Sequence, residues 1–332
     1  DAWYGKERAS GFQRYAEVLA AAREGASDAG RGLESLMLDR RVPAIARATA
    51  LAELSRYLSP SSSLAVRAGL ADKDPLLRRA AVELLEQTDR DVRWRLVSPL
   101  LDDPVRGVRV AAAWALADVS PEEVEDPQGR QRLQRAFDEY LASEMLNADR
   151  VEHWVNMAGF HARQGNVPAA EKAYSEARRR DAKFIPVYAN QADMYRALGR
   201  EADGEKVLRE GIGRVDTAPA LHHALGLLLI REKRLDEALP ELGRAFELGG
   251  ENARFGYVYG VALNSTGAPL RAIEVWEAVL REVPGDRSTL FALVSALRDQ
   301  GDYGRAVVYA DRLLELTPAD PEARRLRRSL SP

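Results

Sequence analysis

Small residues recur every 34 positions through the C-terminal half of this chain: Ala170, Gly204, Ala238, Ala272 and Ala306 form one series, and Ala158, Ala192, Gly226 and Gly260 a second that Val294 breaks. Self-similarity at a fixed period of this length is the signature of stacked supersecondary units, and small side chains at fixed places mark where two helices approach closely. Glycine ends the first helix of a unit at Gly165, Gly199, Gly267 and Gly301, where the backbone needs a left-handed residue, and Lys233 is the exception. Large residues supply the interlocking knobs: Trp154 and Tyr188 early in the unit, Tyr174, Leu208, Leu242 and Trp276 later. Pro284 and Pro318 close the last two units, so five helix pairs are expected over 151–184, 185–218, 219–252, 253–286 and 287–320.

The N-terminal part keeps a different period. Arg47, Arg78 and Arg109 stand 31 apart, as do Ala50, Ala81 and Ala112, and Leu54, Leu85 and Leu116. Each copy begins near a proline (Pro43, Pro75, Pro104), preceded by Asp74 and Asp103 in the last two. Asp caps helices and Pro suits the first turn, so helices are expected to start there. Shorter apolar-periodic segments, Leu33–Leu38, Leu64–Leu70 and Val92–Leu101, lie between them and complete three helix pairs over 30–120. Val108-Arg109, Ala111-Ala112 and Ala115-Leu116 resemble the second helix of a HEAT-type repeat, and the 34-residue units resemble the tetratricopeptide repeat (TPR). No strand-like alternation is present. The expected fold is therefore all-α: a right-handed helical-repeat solenoid, a HEAT-like array followed by a TPR array.

Residues 121–150 join the arrays and are the most polarised segment, with eight acidic side chains against four basic ones. Within this acidic linker, 130–146 reads as one helix whose Ala136 and Tyr140 fall 34 residues before Ala170 and Tyr174, a half-repeat that caps the TPR stack. A helix over Glu7–Arg23, within 1–29, is expected to cap the other array. Residues 321–332 form a basic C-terminal cap through Arg324, Arg325, Arg327 and Arg328, giving the polar outer face that a terminal repeat requires.

Composition narrows the chemistry. The absence of cysteine excludes disulfides, thiolate metal sites, a cysteine nucleophile and covalent haem attachment on this chain. With 48 basic and 51 acidic side chains there is no global pull toward nucleic acid or anionic lipid, and no apolar run reaches the length of a membrane span. His153, His161, His222 and His223 lack the spacing of a zinc-hydrolase helix. Gly199–Lys206 mimics the spacing of a phosphate loop, but Glu205 stands where the lysine belongs and no strand precedes it. No convergent set of base, nucleophile or metal ligands emerges, so neither catalysis nor a cofactor or metal on this chain is expected. A curved groove for a protein or peptide partner is.

In TPR proteins of this pattern the groove-facing sites are the second, fifth, sixth, ninth, twelfth and thirteenth places of the unit. Counting those places names Asn156, Arg163, Asn190, Arg196, His223, Arg231, Tyr257, Asn264, Phe291 and Arg298 as candidate partner contacts, with Val155, Asp193, Leu227 and Val261 among them. Asn156 and Asn190 can hydrogen-bond an extended backbone, the arginines can pair with carboxylates, and Tyr257 and Phe291 are apolar anchors. The lysines of a TPR carboxylate clamp are missing, which counts against a chaperone-tail ligand. Arg47, Arg78 and Arg109 form a ladder that reads either as an anion-binding stripe or as rungs of the repeat's own architecture. Trp94 is expected exposed and Trp114 buried, both as packing residues.

Trp3-Tyr4-Gly5-Lys6-Glu7-Arg8, then Gly11–Glu17, then HEAT-like and TPR units in that order, resemble the C-terminal half of bacterial multihaem c-type cytochromes. That resemblance implies export to the periplasm or cell surface, with this chain as a docking module beside a haem-bearing domain. The chain opens at Asp1 without a basic-then-apolar leader, which points to trimming or processing; the cytoplasm stays open as a location. Function is thus read as a non-catalytic interaction scaffold, with an electron-transfer docking half as the alternative and a HEAT-type lyase-like enzyme as a weaker one.

Overall fold

Helix starts follow the capping chemistry of the sequence. The computed structural model describes residues 14–26, 28–318 and 320–330, and among them every regular element is helical. The N-terminal helices are α1 (Arg14–Arg23), α2 (Ala29–Leu38), α3 (Ala44–Leu54), α4 (Ser63–Leu70), α5 (Pro75–Leu84), α6 (Arg90–Val97), α7 (Arg106–Ala115) and α8 (Pro127–Met145). The 34-residue region holds α9 (Val151–Arg163), α10 (Val167–Arg180), α11 (Ile185–Ala197), α12 (Glu201–Arg214), α13 (Pro219–Arg231), α14 (Leu235–Leu248), α15 (Ala253–Ser265), α16 (Pro269–Glu282), α17 (Arg287–Asp299), α18 (Tyr303–Leu316) and α19 (Pro321–Arg328). Asp74 caps α5 by accepting from the Leu76 N–H, and Asp126, Asp286 and Asp320 cap α8, α17 and α19 in the same way. Of the expected Glu7–Arg23 helix, Arg14–Arg23 is seen; the rest, with the Trp3-Tyr4-Gly5 segment, lies outside the described residues.

One expected start is displaced. The helix placed at Pro104 begins two residues later, at Arg106, with Val105 at the cap position, while the Asp103 carboxylate accepts from the Val105 N–H and from Arg78.

The chain divides into two compact units, 1–173 and 174–332. In the first, α3 packs on α5, α5 on α7 and α7 on α8, and the core is built from Leu33, Met37, Leu51, Leu77, Leu116 and Leu133. Phe160 of α9 belongs to this same core, where its ring stacks on Tyr140 at 4.3 Å and meets Phe137 edge-on at 5.2 Å. The 34-residue period thus begins inside the first unit, one helix before the compact boundary.

The second unit repeats one plan. Its pairs are α11 with α12, α13 with α14, α15 with α16 and α17 with α18, and α19 lies against α18 and α17. The turns inside the pairs carry the expected left-handed residues: φ is 69° at Gly199, 62° at Lys233, 83° at Gly267 and 78° at Gly301. Lys233 bears the strain that glycine avoids elsewhere. Within the pairs α13–α14 and α15–α16 a glycine receives a large residue. A Cβ on Gly226 would lie 2.6 Å from the Leu242 side chain, and one on Gly260 would lie 2.3 Å from Trp276 Nε1. Trp276 is only 1% exposed, and its indole N–H donates to the Tyr257 carbonyl at 3.2 Å.

Gly260→Ala should therefore force the Trp276 indole out of place and cost about 1–3 kcal/mol. Gly213→Ala, in α12 with nothing within 4 Å of the added methyl, should instead be neutral or stabilising by up to about 1 kcal/mol. Urea denaturation of the two variants checks the contrast; equal shifts would show that the helices do not close around residue 260.

Candidate functional site

The arginine ladder of the first unit resolves as architecture. Arg47 donates to Asp72 and to the Met37 carbonyl, both at 2.7 Å. Arg78 grips Asp103 through two nitrogens at 2.6 and 2.8 Å and also donates to the Asp72 and Lys73 carbonyls. Arg109 takes both oxygens of Glu139 at 2.7 and 2.6 Å. Burial alone would raise the Asp103 carboxyl, but hydrogen bonds from Arg78 and Val105 hold it below the usual carboxylate range. Each guanidinium is spent on the next helix pair, so the anion-stripe reading falls. Sequence reasoning passed over a further rung of the same kind, Arg93 to Asp118; like Arg47–Asp72 and Arg78–Asp103, its partners stand 25 apart in sequence.

Trp94 and Trp114 are both half-buried, neither as exposed nor as enclosed as expected. One face of the Trp114 ring carries the Arg163 guanidinium at 5.1 Å, and its N–H donates to Glu86 at 3.2 Å. Two of the candidate groove residues belong to this unit. Arg163 is the cation over Trp114, its Nε buried without a hydrogen-bond partner. Exposed Asn156 donates to Glu144 at 3.1 Å, and Glu144 also lies 2.7 Å from His153.

In the second unit the candidate residues separate by environment. Asn190, Arg196, Arg231 and Asn264 are exposed; Arg196 pairs with Asp193 at 3.2 Å and Arg231 with Glu201 at 2.8 Å. Half-exposed Arg298 pairs with Asp299. His223, counted as groove-facing, is instead buried at 7% exposure against Phe255, the ring centroids 4.8 Å apart, and neither ring nitrogen has a hydrogen-bond partner. The bulk of Phe255 on the neighbouring helix covers the place that the repeat count left open. Its neighbour His222 is satisfied on both sides, by Glu241 at 2.6 Å and the Asp216 carbonyl at 3.0 Å.

Tyr257 and Phe291 converge. They line a cleft of about 540 Å³ together with Arg287, Ser288, Ala292, Leu313, Asp320 and Glu322. Leu313 is buried, whereas Phe291 keeps 40% of its surface in solvent. Arg287 and Asp320 neutralise one another at 3.1 Å. The polar members of this cleft escaped the sequence reading, although a signal existed: Ser288 occupies the second place of its unit, a place named as groove-facing, and Glu322 follows 34 residues later. Among the described residues no cluster of metal-ligating side chains is found.

Residues 287–327, which include most of this cleft, match the tetratricopeptide repeat family. Together with the regular 34-residue helix pairs, this establishes helical repeats of the tetratricopeptide type. No curated protein sequence matches the chain. Among solved structures, MamA is similar at 21% identity over 50% of this chain and 91% of its own, with a TM-score of 0.43. YrrB, described as a TPR protein with an unusual peptide-binding site, is similar at 18% identity over 56% of this chain and 96% of its own, with a TM-score of 0.43. PilF of Pseudomonas aeruginosa is similar at 17% identity over 54% of this chain and 88% of its own, with a TM-score of 0.44.

The buried imidazole gives the second unit an acid sensitivity. Burial, aided by the Arg254 cation, lowers the pKa of His223 from 6.5 to about 4. The folded state therefore refuses a proton that the unfolded chain accepts, so stability falls as pH drops from 6.5 toward 4, by roughly 1.4 kcal/mol per pH unit inside that window. His223→Leu should melt higher than wild type by a margin that widens between pH 7 and pH 4.5. A margin independent of pH would show that His223 titrates normally.

Proposed function

We propose that this chain is a non-catalytic protein-interaction scaffold that holds an extended peptide of a partner against the first-helix face of its C-terminal unit. The observation that carries the reading is the convergence of Tyr257 and Phe291 on one open cleft beside the buried Leu313. Aromatic anchors beside a polar rim are the usual source of binding energy in peptide recognition. The ladder arginines Arg47, Arg78 and Arg109, by contrast, are consumed in holding helix pairs together. YrrB, whose description includes a peptide-binding site, lends the reading an analogy of fold.

The test is a random dodecamer library displayed on phage and selected on the whole chain. Selected peptides should bind a Tyr257→Ala, Phe291→Ala double variant at least about 30-fold more weakly, the effect of losing roughly 2 kcal/mol of anchor contact. Helicity should be unchanged, since neither ring is fully buried. Equal binding to both proteins would remove the cleft from the function.

A second reading rests on the order of parts in the sequence, the Trp3-Tyr4-Gly5 segment ahead of 31- and 34-residue repeats, which supports a docking half beside a haem-bearing domain of an exported multihaem cytochrome. Purified from its source with an antibody to this region, such a polypeptide would exceed the mass of this chain and show a c-type haem spectrum. A colourless polypeptide of this chain's mass would refute it.

A further inference from the structure

Beside the cleft, whose lining includes Ser288 and Glu322, a row of second places on α15, α17 and α19 carries a charge order that begins at Arg254, outside that lining. These three helices stand at the same place in successive units, and their second residues are Arg254, Ser288 and Glu322, each 34 from the next. α15 packs on α17 and α17 on α19, so the three second places form a row across neighbouring helices. At one end Arg254 is exposed and has no ion partner among the described residues; its charge acts on His223 of the preceding pair. At the other end Glu322 is exposed and likewise without an ion partner among the described residues, its backbone N–H being bound by the Asp320 cap. Between them Ser288 offers an exposed hydroxyl, and Tyr257 and Phe291 flank the apolar floor. Arg287 and Asp320 cancel one another and leave the charge at the two ends of the row in control.

Resting on the scaffold reading above, we infer that the occupant is an extended peptide segment with an apolar side chain in the Tyr257–Phe291 cleft, an acidic residue toward Arg254 and a basic residue toward Glu322. Two helix spacings of about 10 Å separate the ends of the row. An extended chain rises about 3.3 Å per residue, so the two charged residues of the peptide stand roughly six positions apart with the apolar residue midway. Carboxylate pairing with a free guanidinium fixes one end, a cation beside Glu322 and the Phe291 ring fixes the other, and a peptide of uniform charge meets repulsion at one of them.

Three full-length proteins are each selected against the same phage-displayed dodecamers: wild type, Glu322→Lys and Arg254→Glu. Wild type should enrich an apolar residue between one acidic and one basic residue. Glu322→Lys should enrich acidic residues on both sides, and Arg254→Glu basic residues on both sides. The best wild-type peptide, synthesised with a fluorescein label, should lose about tenfold in affinity on Glu322→Lys and less on Glu322→Gln, with melting temperatures unchanged. If selected peptides depend on Phe291 but show the same charge preference on all three proteins, the charge order is overturned and the cleft stands. If no selected peptide depends on Phe291, the scaffold reading of the cleft falls with it.

Discussion

The middle of the second unit depends on a fit of large into small within the pairs α13–α14 and α15–α16. Leu242 enters the space above Gly226, and Trp276 enters the space above Gly260, so closely that not even a methyl group fits at either glycine. Such contact brings the paired helices near enough for the Trp276 indole to reach a backbone carbonyl of its partner helix, at Tyr257. That hydrogen bond satisfies the one polar atom of a side chain buried for its bulk. It also anchors α15 at the residue that lines the cleft, so the packing that builds the repeat holds the candidate anchor in place.

A second recurring contact governs where the chain enters the first helices α9, α11 and α13. Tyr188 donates its hydroxyl to the carbonyl of Ala182 at 2.8 Å, and His222, one period later, sits 3.0 Å from the carbonyl of Asp216. Trp154 makes the same bond to Ala148 within the first unit. Three different side chains thus serve one purpose at the fourth place of their units, each reaching back six residues to a carbonyl that no helix satisfies. In these three units the contact asks only for a long side chain with a donor at its tip, so the identity of the residue varies while its place does not; Gly256 and Leu290, at the same place in the next two units, carry no such donor.

The periodic part of the fold was legible because it is written in residue size. Gly165, Gly199, Gly267 and Gly301 announce their turns, and even Lys233 could be placed by register, with a left-handed φ of 62° as the structural consequence. The cleft was legible only in half. Tyr257 and Phe291 are found by counting places, and Ser288 and Glu322 share the second place of successive units, but Leu313 comes from a second helix, beyond any count confined to first helices. His223 shows the opposite failure: the count puts it on an open face, and the size of Phe255, a residue of the next unit, closes that face over it. Burial set by a neighbour's bulk is a tertiary property that a period does not carry.

The change of period has its own physical solution, contained within the first unit. Arg47 and Arg78 each reach an acid 25 residues ahead, at the loop that precedes the next inner helix. For Arg109 the same step would arrive at Gln134, in the interior of the 19-residue helix α8, where no loop carboxylate is available. The guanidinium instead takes Glu139, just over a turn farther along α8, and holds that carboxyl below its ordinary range through paired hydrogen bonds. One face of α8 therefore answers the 31-residue ladder. Another of its residues, Tyr140, stacks on Phe160 of α9, which belongs to the 34-residue pattern. Arg163, one helical turn beyond Phe160, then lies across Trp114 of α7. A long helix with an acid for one register and an aromatic ring for the other lets two incompatible periods share a continuous core, and it explains why Phe160 folds with the residues before it.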